Sequence, residues 1–275
     1  MTLPPNRLVL LGHPVAHSLS PVFQNAALRH AGFAFEYVAL DVTAVDLAYT
    51  LYTLRHANAA GNITIPHKGA AFALCDVLTE VAREVGAINT FWYDHDALCG
   101  DNTDVGGFAA AARQLLDDSA PGLHVTLLGA GGAAAAVVAA TRHWPMATLT
   151  IWNRTAAAAH ALAQRFDHVR VEMNVARAVS DADLVVNATP VGLYDDILPV
   201  EVTCIPPRAA VLDLVYKRGE TAFVRAARAA GHPASDGFGM LVEQGALSFE
   251  RWFGVSPSRE VMWHALTSLP EASAI

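Results

Sequence analysis

A short apolar run, a glycine-rich turn and a helical stretch follow one another without a break between His124 and His143, and that succession narrows the fold more than any other feature of the chain. Residues 124–128 read as a buried strand. The turn Gly129-Ala130-Gly131-Gly132-Ala133-Ala134 comes next, and an alanine-rich helix pattern runs on to about His143. The first glycine permits a tight turn and the second admits close approach by phosphates. The small residue at Ala134 lets the helix lie close on its strand. A helix N-terminus at this point offers unpaired N–H groups and partial positive charge to an anion. Strand patterns recur at 147–152, 169–172, 184–187 and 210–214, with a helix pattern at 155–165, so this half reads as a doubly wound dinucleotide-binding domain.

The first half shows the same alternation without the glycine fingerprint. Residues 7–11 form an apolar run ended by Gly12, and a helix pattern follows from Pro21 to Arg29 with Ser20 as its N-cap. Residues 34–40 alternate like a strand, 44–56 are helical, 63–65 form a short strand stopped by Pro66, and 87–92 another. Alternating strands and helices imply βαβ units and a mostly parallel sheet. The segment Asp117–Gly122 is the clearest loop between the two series. The 275 residues suffice for two α/β domains, and with 53% hydrophobic and 16% charged residues both can bury a core.

The strand that follows the glycine turn decides which dinucleotide fits. A site for NAD wants an acid at its end to hold the ribose 2′-hydroxyl. Here the strand ends Trp152-Asn153-Arg154-Thr155, with an arginine and no acid. A guanidinium suits a 2′-phosphate, so NADP is the expected cofactor. Asn153 and Thr155 add neutral donors, and Thr155 serves equally as a helix N-cap.

Three polar runs stand out in the first half, two of them at strand ends, where α/β sheets commonly bind ligands. In His17-Ser18-Leu19-Ser20-Pro21 two hydroxyls stand close enough to donate to one carboxylate, or Ser20 only caps its helix. In Asn62-Ile63-Thr64-Ile65-Pro66-His67-Lys68 a lysine just past a proline has its ammonium placed to donate to a substrate oxygen. In Asp101-Asn102-Thr103-Asp104 the last carboxylate sits at a helix start, where capping is the ordinary alternative. Gly86-Ala87-Ile88-Asn89-Thr90 offers one further amide.

Other chemistries lack their residues. His13 and His17 are separated by Pro14 and share no helical face, and no Cys/His cluster exists, so no metal is expected. There is no G-x-S-x-G elbow for a hydrolase. A net charge of −8 supplies no basic stripe for nucleic acid. No apolar stretch is long enough to span a membrane, and the run 8–11 is too short for a signal segment. Cys75, Cys99 and Cys204 are sparse and unpaired by spacing, which fits a cytoplasmic location.

In this order the runs resemble the shikimate dehydrogenase family over nearly the whole chain. Gly12-x-Pro14-x-x-His17-Ser18-x-Ser20-Pro21-x-x-x-Asn25 is similar to its opening motif. The runs at 62–68, 86–90 and 101–104 resemble its substrate segments. The glycine turn, Asn153-Arg154-Thr155, Asn187-Ala188-Thr189-Pro190-x-Gly192, Asp213-x-x-Tyr216 and Gly237-x-Gly239-Met240-Leu241-x-x-Gln244-Gly245-Ala246 follow in family order.

The resemblance implies an N-terminal α/β substrate domain of residues 1–103 plus 240–275. A Rossmann-type NADP domain of residues 104–239 lies between them in sequence, with a cleft between the two domains. By the same resemblance Lys68 and Asp104 would be the catalytic pair. Ser18 and Ser20 would bind the substrate carboxylate, and Asn62, Thr64, Asn89, Asp104, Tyr216 and Gln244 its ring hydroxyls. Gly129, Ala130, Gly131, Gly132, Ala133, Asn153, Arg154, Thr155, Thr189, Val215 and Gly237 would line the cofactor. The implied reaction is the NADPH-dependent reduction of 3-dehydroshikimate to shikimate, a step towards aromatic amino acids, by a monomer or homodimer.

Two departures stand out. Ala157, Ala158 and Ala159 occupy the stretch where the family often carries a second basic residue, which weakens the expected preference for NADP over NAD. Arg218 stands where the family usually has a proline. The competing expectations are a quinate/shikimate dehydrogenase using NAD and a non-catalytic NADP-binding sensor. Retention of both Lys68 and Asp104 weighs against the sensor. Whether Lys68 transfers the proton or only stabilises charge stays open at the level of sequence.

Overall fold

A computed structural model describes residues 5–116, 121–217 and 219–268. Most of the expected loop at 117–122, and Arg218, lie outside the described residues. The chain divides into two compact units, one of Met1–Gly107 with Leu241–Ile275 and one of Phe108–Met240.

The first unit runs β1 (Arg7–Gly12), α1 (Ser20–His30), β2 (Tyr37–Asp41), α2 (Leu47–His56), β3 (Ala59–Ile63), α3 (Lys68–Leu74), β4 (Val77–Leu78), α4 (Glu80–Val85), β5 (Thr90–Asp94) and β6 (Ala97–Asp101). Its sheet has the order β2-β1-β3-β5-β6-β4. β1, β2 and β3 are parallel, but β3–β5 and β5–β6 are antiparallel, so the sheet is mixed rather than mostly parallel. The hairpin β5–β6 is the difference. Its second strand, Ala-Leu-Cys-Gly-Asp, lacks the β-branched residues that mark strands.

β3 occupies Ala59–Ile63, four residues ahead of the expected 63–65, and every one of its residues is buried. Its small residues are required by close approach: a Cβ on Gly61 would lie 1.9 Å from the Val9 carbonyl oxygen. The strands pack Val9, Leu11, Ile63, Phe91 and Leu98 against Leu47, Leu51 and Leu54 of α2. At the sheet edge Asn25 of α1 donates to the Tyr37 carbonyl (2.9 Å) and accepts from the Tyr37 N–H (2.8 Å).

Residues 104–113 form α5 (Asp104–Arg113), and the second unit continues with β7 (His124–Leu128), α6 (Gly132–Arg142), β8 (Thr148–Trp152), α7 (Ala156–Ala163), β9 (Val169–Val171), α8 (Val175–Val179), β10 (Leu184–Asn187), β11 (Ala210–Asp213), α9 (Ala222–Ala229) and β12 (Ala234–Ser235). All of its strand pairs are parallel, in the order β12-β11-β10-β7-β8-β9. Read from β9, this is the doubly wound 3-2-1-4-5-6 order, with its switch point between β7 and β10. Ala134–Thr141 of α6 are all buried, because methyl side chains let the helix settle on the sheet. α10 (Phe238–Phe253) and α11 (Arg259–Thr267) complete the chain. Within the first unit, Gly245 of α10 meets α1 so closely that a Cβ there would stand 2.3 Å from the Phe23 ring.

Candidate active site

In the first unit the ends of β1, β2 and β3 are tied together by backbone. Val42 N donates to Gly12 O, Thr64 N to Leu11 O and His13 N to Ile65 O. The buried His67 ring places Nε2 2.6 Å from Val42 O, and since a carbonyl only accepts, this nitrogen carries the proton. Lys68 follows as the first residue of α3. Its ammonium donates to Asp104 Oδ2 at 2.6 Å, with the lysine side chain 21% and the carboxylate 8% exposed. Asp104 opens α5, so the helix N-terminus adds to the stabilisation of its charge. Its backbone N–H is taken by Asn102 Oδ1 at 3.2 Å. The carboxylate itself serves the ammonium and Asn89, and is no cap.

Asn89 orders the other Asp104 oxygen. Its Nδ2 lies 2.8 Å from Asp104 Oδ1, 2.9 Å from Thr103 Oγ1 and 3.2 Å from Gln244 Oε1, three acceptors for two hydrogens. Its Oδ1 accepts from Thr103 N at 2.7 Å. Asn62 is buried and heavily engaged, accepting from the Tyr37 hydroxyl (2.7 Å) and donating to Asn89 O (3.0 Å) and Ser248 Oγ (2.9 Å). Ser248 in turn donates to Gln244 O and lies 3.0 Å from Thr103 Oγ1. Lys68, Asp104, Asn89, Asn62 and Gln244 thus belong to one buried hydrogen-bonded network. A low-dielectric network in which each member is held strengthens every bond within it.

Ser18 is half-buried after β1, and its Oγ accepts from Ser20 N at 3.2 Å. Ser20 is not the N-cap of α1: Leu19 holds that position and Ser20 is a buried first helical residue. The hydroxyl that serves the helix entry comes instead from two residues upstream. Thr64 is half-buried on the turn between β3 and Lys68. Tyr37, Thr103 and Ser248 were not legible as site residues. Tyr37 and Ser248 are buried side chains at strand and helix spacing, which looks like core filling until their partners are seen, and Thr103 sits on the turn before Asp104, inside a polar run in which the carboxylate draws the attention.

In the second unit the glycine turn leaves β7 at the switch point. Gly129 has φ +118°, and a Cβ there would lie 2.8 Å from Ala188 O on the loop after β10. A Cβ on Gly131 or Gly132 would meet nothing within 4 Å. The turn is therefore closed behind by backbone and open in front, with the uncapped N-terminus of α6 facing the opening. Ala130 and Ala133 are partly exposed beside it. Asn153 donates to Thr155 O at 2.9 Å. Arg154 is exposed, and Thr155 is the N-cap of α7 without a side-chain bond, which leaves its hydroxyl available. Thr189 donates to Asn187 Oδ1 at 2.7 Å, and Gly237 N donates to Val215 O at 3.1 Å. A Cβ on Gly237 would lie 2.4 Å from Leu214 O. The Tyr216 ring tilts against Phe238 with centroids 5.3 Å apart.

A family model described as the shikimate dehydrogenase substrate binding domain matches residues 10–91, one described as shikimate / quinate 5-dehydrogenase matches 110–193, and one described as the shikimate 5′-dehydrogenase C-terminal domain matches 237–267. Shikimate dehydrogenase (NADP(+)) of Brucella abortus (strain S19) is 39% identical over 279 residues, covering 96% of this chain and 95% of that protein. The enzyme of the same name from Mesorhizobium japonicum is 41% identical over 256 residues, covering 90% of each. The crystal structure of shikimate 5-dehydrogenase from Thermus thermophilus in complex with NADP(H) and shikimate superposes with a TM-score of 0.86 at 38% identity. That superposition covers 94% of this chain and 97% of the other. With a mixed-sheet unit carrying the Lys68–Asp104 pair and a doubly wound unit carrying the glycine turn, the chain belongs to the shikimate dehydrogenase family.

Proposed function

We propose that this chain is an NADP-dependent shikimate dehydrogenase, interconverting 3-dehydroshikimate and shikimate by hydride transfer at C3 on the route to aromatic amino acids. The observation that carries the reading is the Lys68 Nζ–Asp104 Oδ2 contact of 2.6 Å, in a chain of this family. The first unit, with the C-terminal helices, is the substrate domain on this reading, and the second is the cofactor domain. NADP fits the second unit on its own geometry. The turn at Gly129 is held open towards an uncapped helix N-terminus, and the following strand ends in an arginine instead of an acid.

NADPH supplies the hydride when bound. In the reduction direction the C3 carbonyl oxygen gains negative charge as C3–H forms, and the Lys68 ammonium lies where it stabilises that charge and hands over a proton. In the reverse direction the neutral amine accepts the hydroxyl proton. Asp104 orients the ammonium through Oδ2, and Asn89 holds the carboxylate through Oδ1. Ser18 and Ser20 take the substrate carboxylate. Thr64, Asn89, Asp104, Tyr216 and Gln244 take its ring hydroxyls, and Asn62 adds its remaining Oδ1 lone pair, since both Nδ2 hydrogens serve Asn89 O and Ser248. The cofactor lies along Gly129–Ala133, Arg154 and its neighbours, Thr189, Val215 and Gly237.

Among the described residues no helix is long and apolar enough to cross a membrane. We place the enzyme in the cytoplasm as a monomer or homodimer. Initial rates of shikimate and quinate oxidation, each with NADP and with NAD, test the assignment. Preference for shikimate with NADP is expected. Preference for NAD would mean that one arginine without a second basic clamp does not secure NADP, and preference for quinate would overturn the substrate assignment.

A further inference from the structure

Asp213 ends β11 with its side chain fully buried, and among the described residues its hydrogen bonds come from neutral donors alone. Asn187 Nδ2 donates to Oδ1 at 2.8 Å, Val215 N to Oδ1 at 3.1 Å, and Thr221 Oγ1 to Oδ2 at 2.7 Å. Desolvation pushes the carboxyl above its usual range while these donors pull it back. Burying a carboxylate is costly unless it is hydrogen-bonded, so Asp213 depends on these three donors and ties together the segments that carry them.

The three donors lie on three different pieces of chain. Asn187 ends β10, and its Oδ1 accepts from both the N–H (3.0 Å) and the hydroxyl (2.7 Å) of Thr189. Val215 accepts from Gly237 N at 3.1 Å, which brings in the loop after β12. Thr221 caps α9 by accepting from Val224 N. Thr189, Val215 and Gly237 are therefore one or two hydrogen bonds from a single carboxylate. These loops stand at the carboxyl ends of β10, β11 and β12, the second of the two mononucleotide-binding halves of a doubly wound sheet. Gly129 and Arg154 belong to the first half and lie outside this set of bonds.

Resting on the cofactor reading above, we infer that Asp213 is the positioning residue of the nicotinamide half of the cofactor site, holding the loops after β10, β11 and β12 in register while leaving the adenosine half to the glycine turn and Arg154. The inference separates two ligands that share one end. NADP spans both halves, whereas 2′,5′-ADP fills only the adenosine half.

Dissociation constants of NADP and 2′,5′-ADP for wild type, Asp213→Ala, Asp213→Asn and Asn187→Ala test it, together with the KM for shikimate. Asp213→Ala is expected to weaken NADP by about tenfold or more, the scale of losing hydrogen bonds to a charged group. NAD weakens in parallel, 2′,5′-ADP stays within about twofold, and the shikimate KM rises with the displacement of the loop that carries Tyr216. Asp213→Asn keeps an oxygen towards Asn187 and Val215 and turns its NH₂ to Thr221 Oγ1, so it restores NADP binding to within about threefold. Asn187→Ala removes the link between the carboxylate and the loop after β10, at Asp213 and at Thr189 together, and leaves the bonds from Val215 and Thr221 in place; it keeps the test alive if Asp213→Ala does not fold, and it weakens NADP and spares 2′,5′-ADP. Equal losses of NADP and 2′,5′-ADP, or wild-type NADP affinity in a folded Asp213→Ala or Asn187→Ala protein, overturn the inference. A wild-type chain that oxidises shikimate with neither NADP nor NAD removes the functional reading itself.

Discussion

In the first unit the candidate site is made of side chains that hold one another, while in the second it is made of backbone left bare. Lys68, Asp104, Asn89, Asn62, Gln244 and Ser248 form a chain of short contacts in which nearly every polar atom has a protein partner. The glycine turn at 129–132 offers N–H groups and open space, with Arg154 exposed beside it. The contrast follows from what each unit has to hold. A small polyhydroxylated ring undergoing chemistry needs donors fixed before it arrives, so that none has to reorganise as charge develops. A dinucleotide needs only room, a few N–H groups for its phosphates and one charge for selectivity.

Particular glycines show the same contrast, although Gly129 and Gly237 of the second unit are backed by backbone. Gly61 and Gly245 of the first unit are glycines because protein fills the place of their Cβ, at 1.9 Å and 2.3 Å, whereas Gly131 and Gly132 face open space. The largest expected effect tests the side-chain network. Lys68→Ala lowers kcat by about 10²-fold or more with the shikimate KM within a few-fold, the scale of one acid–base contribution. Unchanged turnover removes Lys68 from the mechanism.

The next two predictions set the glycines against each other. Gly61→Ala drives a methyl into the Val9 carbonyl and loses about 1–3 kcal/mol of unfolding free energy in a denaturant titration, the usual scale of overpacking. Gly131→Ala has an ordinary φ of −89° and no neighbour to strike, so stability stays within about 0.5 kcal/mol. Its NADP KM rises about tenfold, because the methyl enters the phosphate space. If both variants lost stability alike, the contrast between filled and open glycines would fail.

The smallest effect concerns a carboxylate with no counterpart to Lys68. Burial, aided by the charges of Asp213 and Glu220, pushes the Asp236 carboxyl from 3.8 up to about 6. The folded protein then holds this proton more tightly than the unfolded chain, so the residue's contribution falls as pH rises through that window. Asp236→Asn keeps the bond to Phe238 N and lacks the loss. Its advantage in melting temperature over wild type is therefore larger at pH 7 than at pH 4. A constant difference across that range would mean that Asp236 titrates normally.

The second unit was the more legible from sequence. Residues 184–187 are β10 as expected, and the glycine turn joins a strand to a helix where the pattern placed it. Long apolar runs buried on both faces, bounded by glycine, leave little choice of period. The first unit concealed more. β3 is Ala-Ala-Gly-Asn-Ile, chosen for close approach to β1 and carrying almost no strand signal. The hairpin strand β6 was absorbed into the polar run that leads to Asp104. Lys68 and Asp104 stand out because charged residues in glycine-rich polar runs serve no core. Ser248 and Tyr37 are hidden because a buried hydroxyl at helical or strand spacing reads as packing. Only the fold shows that their partners, Asn62 and Thr103, come from other strands and loops.

Asn25 has a further consequence at the edge of the first sheet. Three of the four edge strands in the two sheets, β4, β9 and β12, are two or three residues long and give an incoming strand little to grip. β2 has five residues and is the exception. There the Asn25 amide occupies both the N–H and the carbonyl of Tyr37, acting as a one-residue imitation strand within the molecule. An exposed edge of this length is the ordinary starting point for strand-to-strand aggregation. A single carboxamide reaching across from α1 removes the backbone pair on which such a stack between molecules would begin.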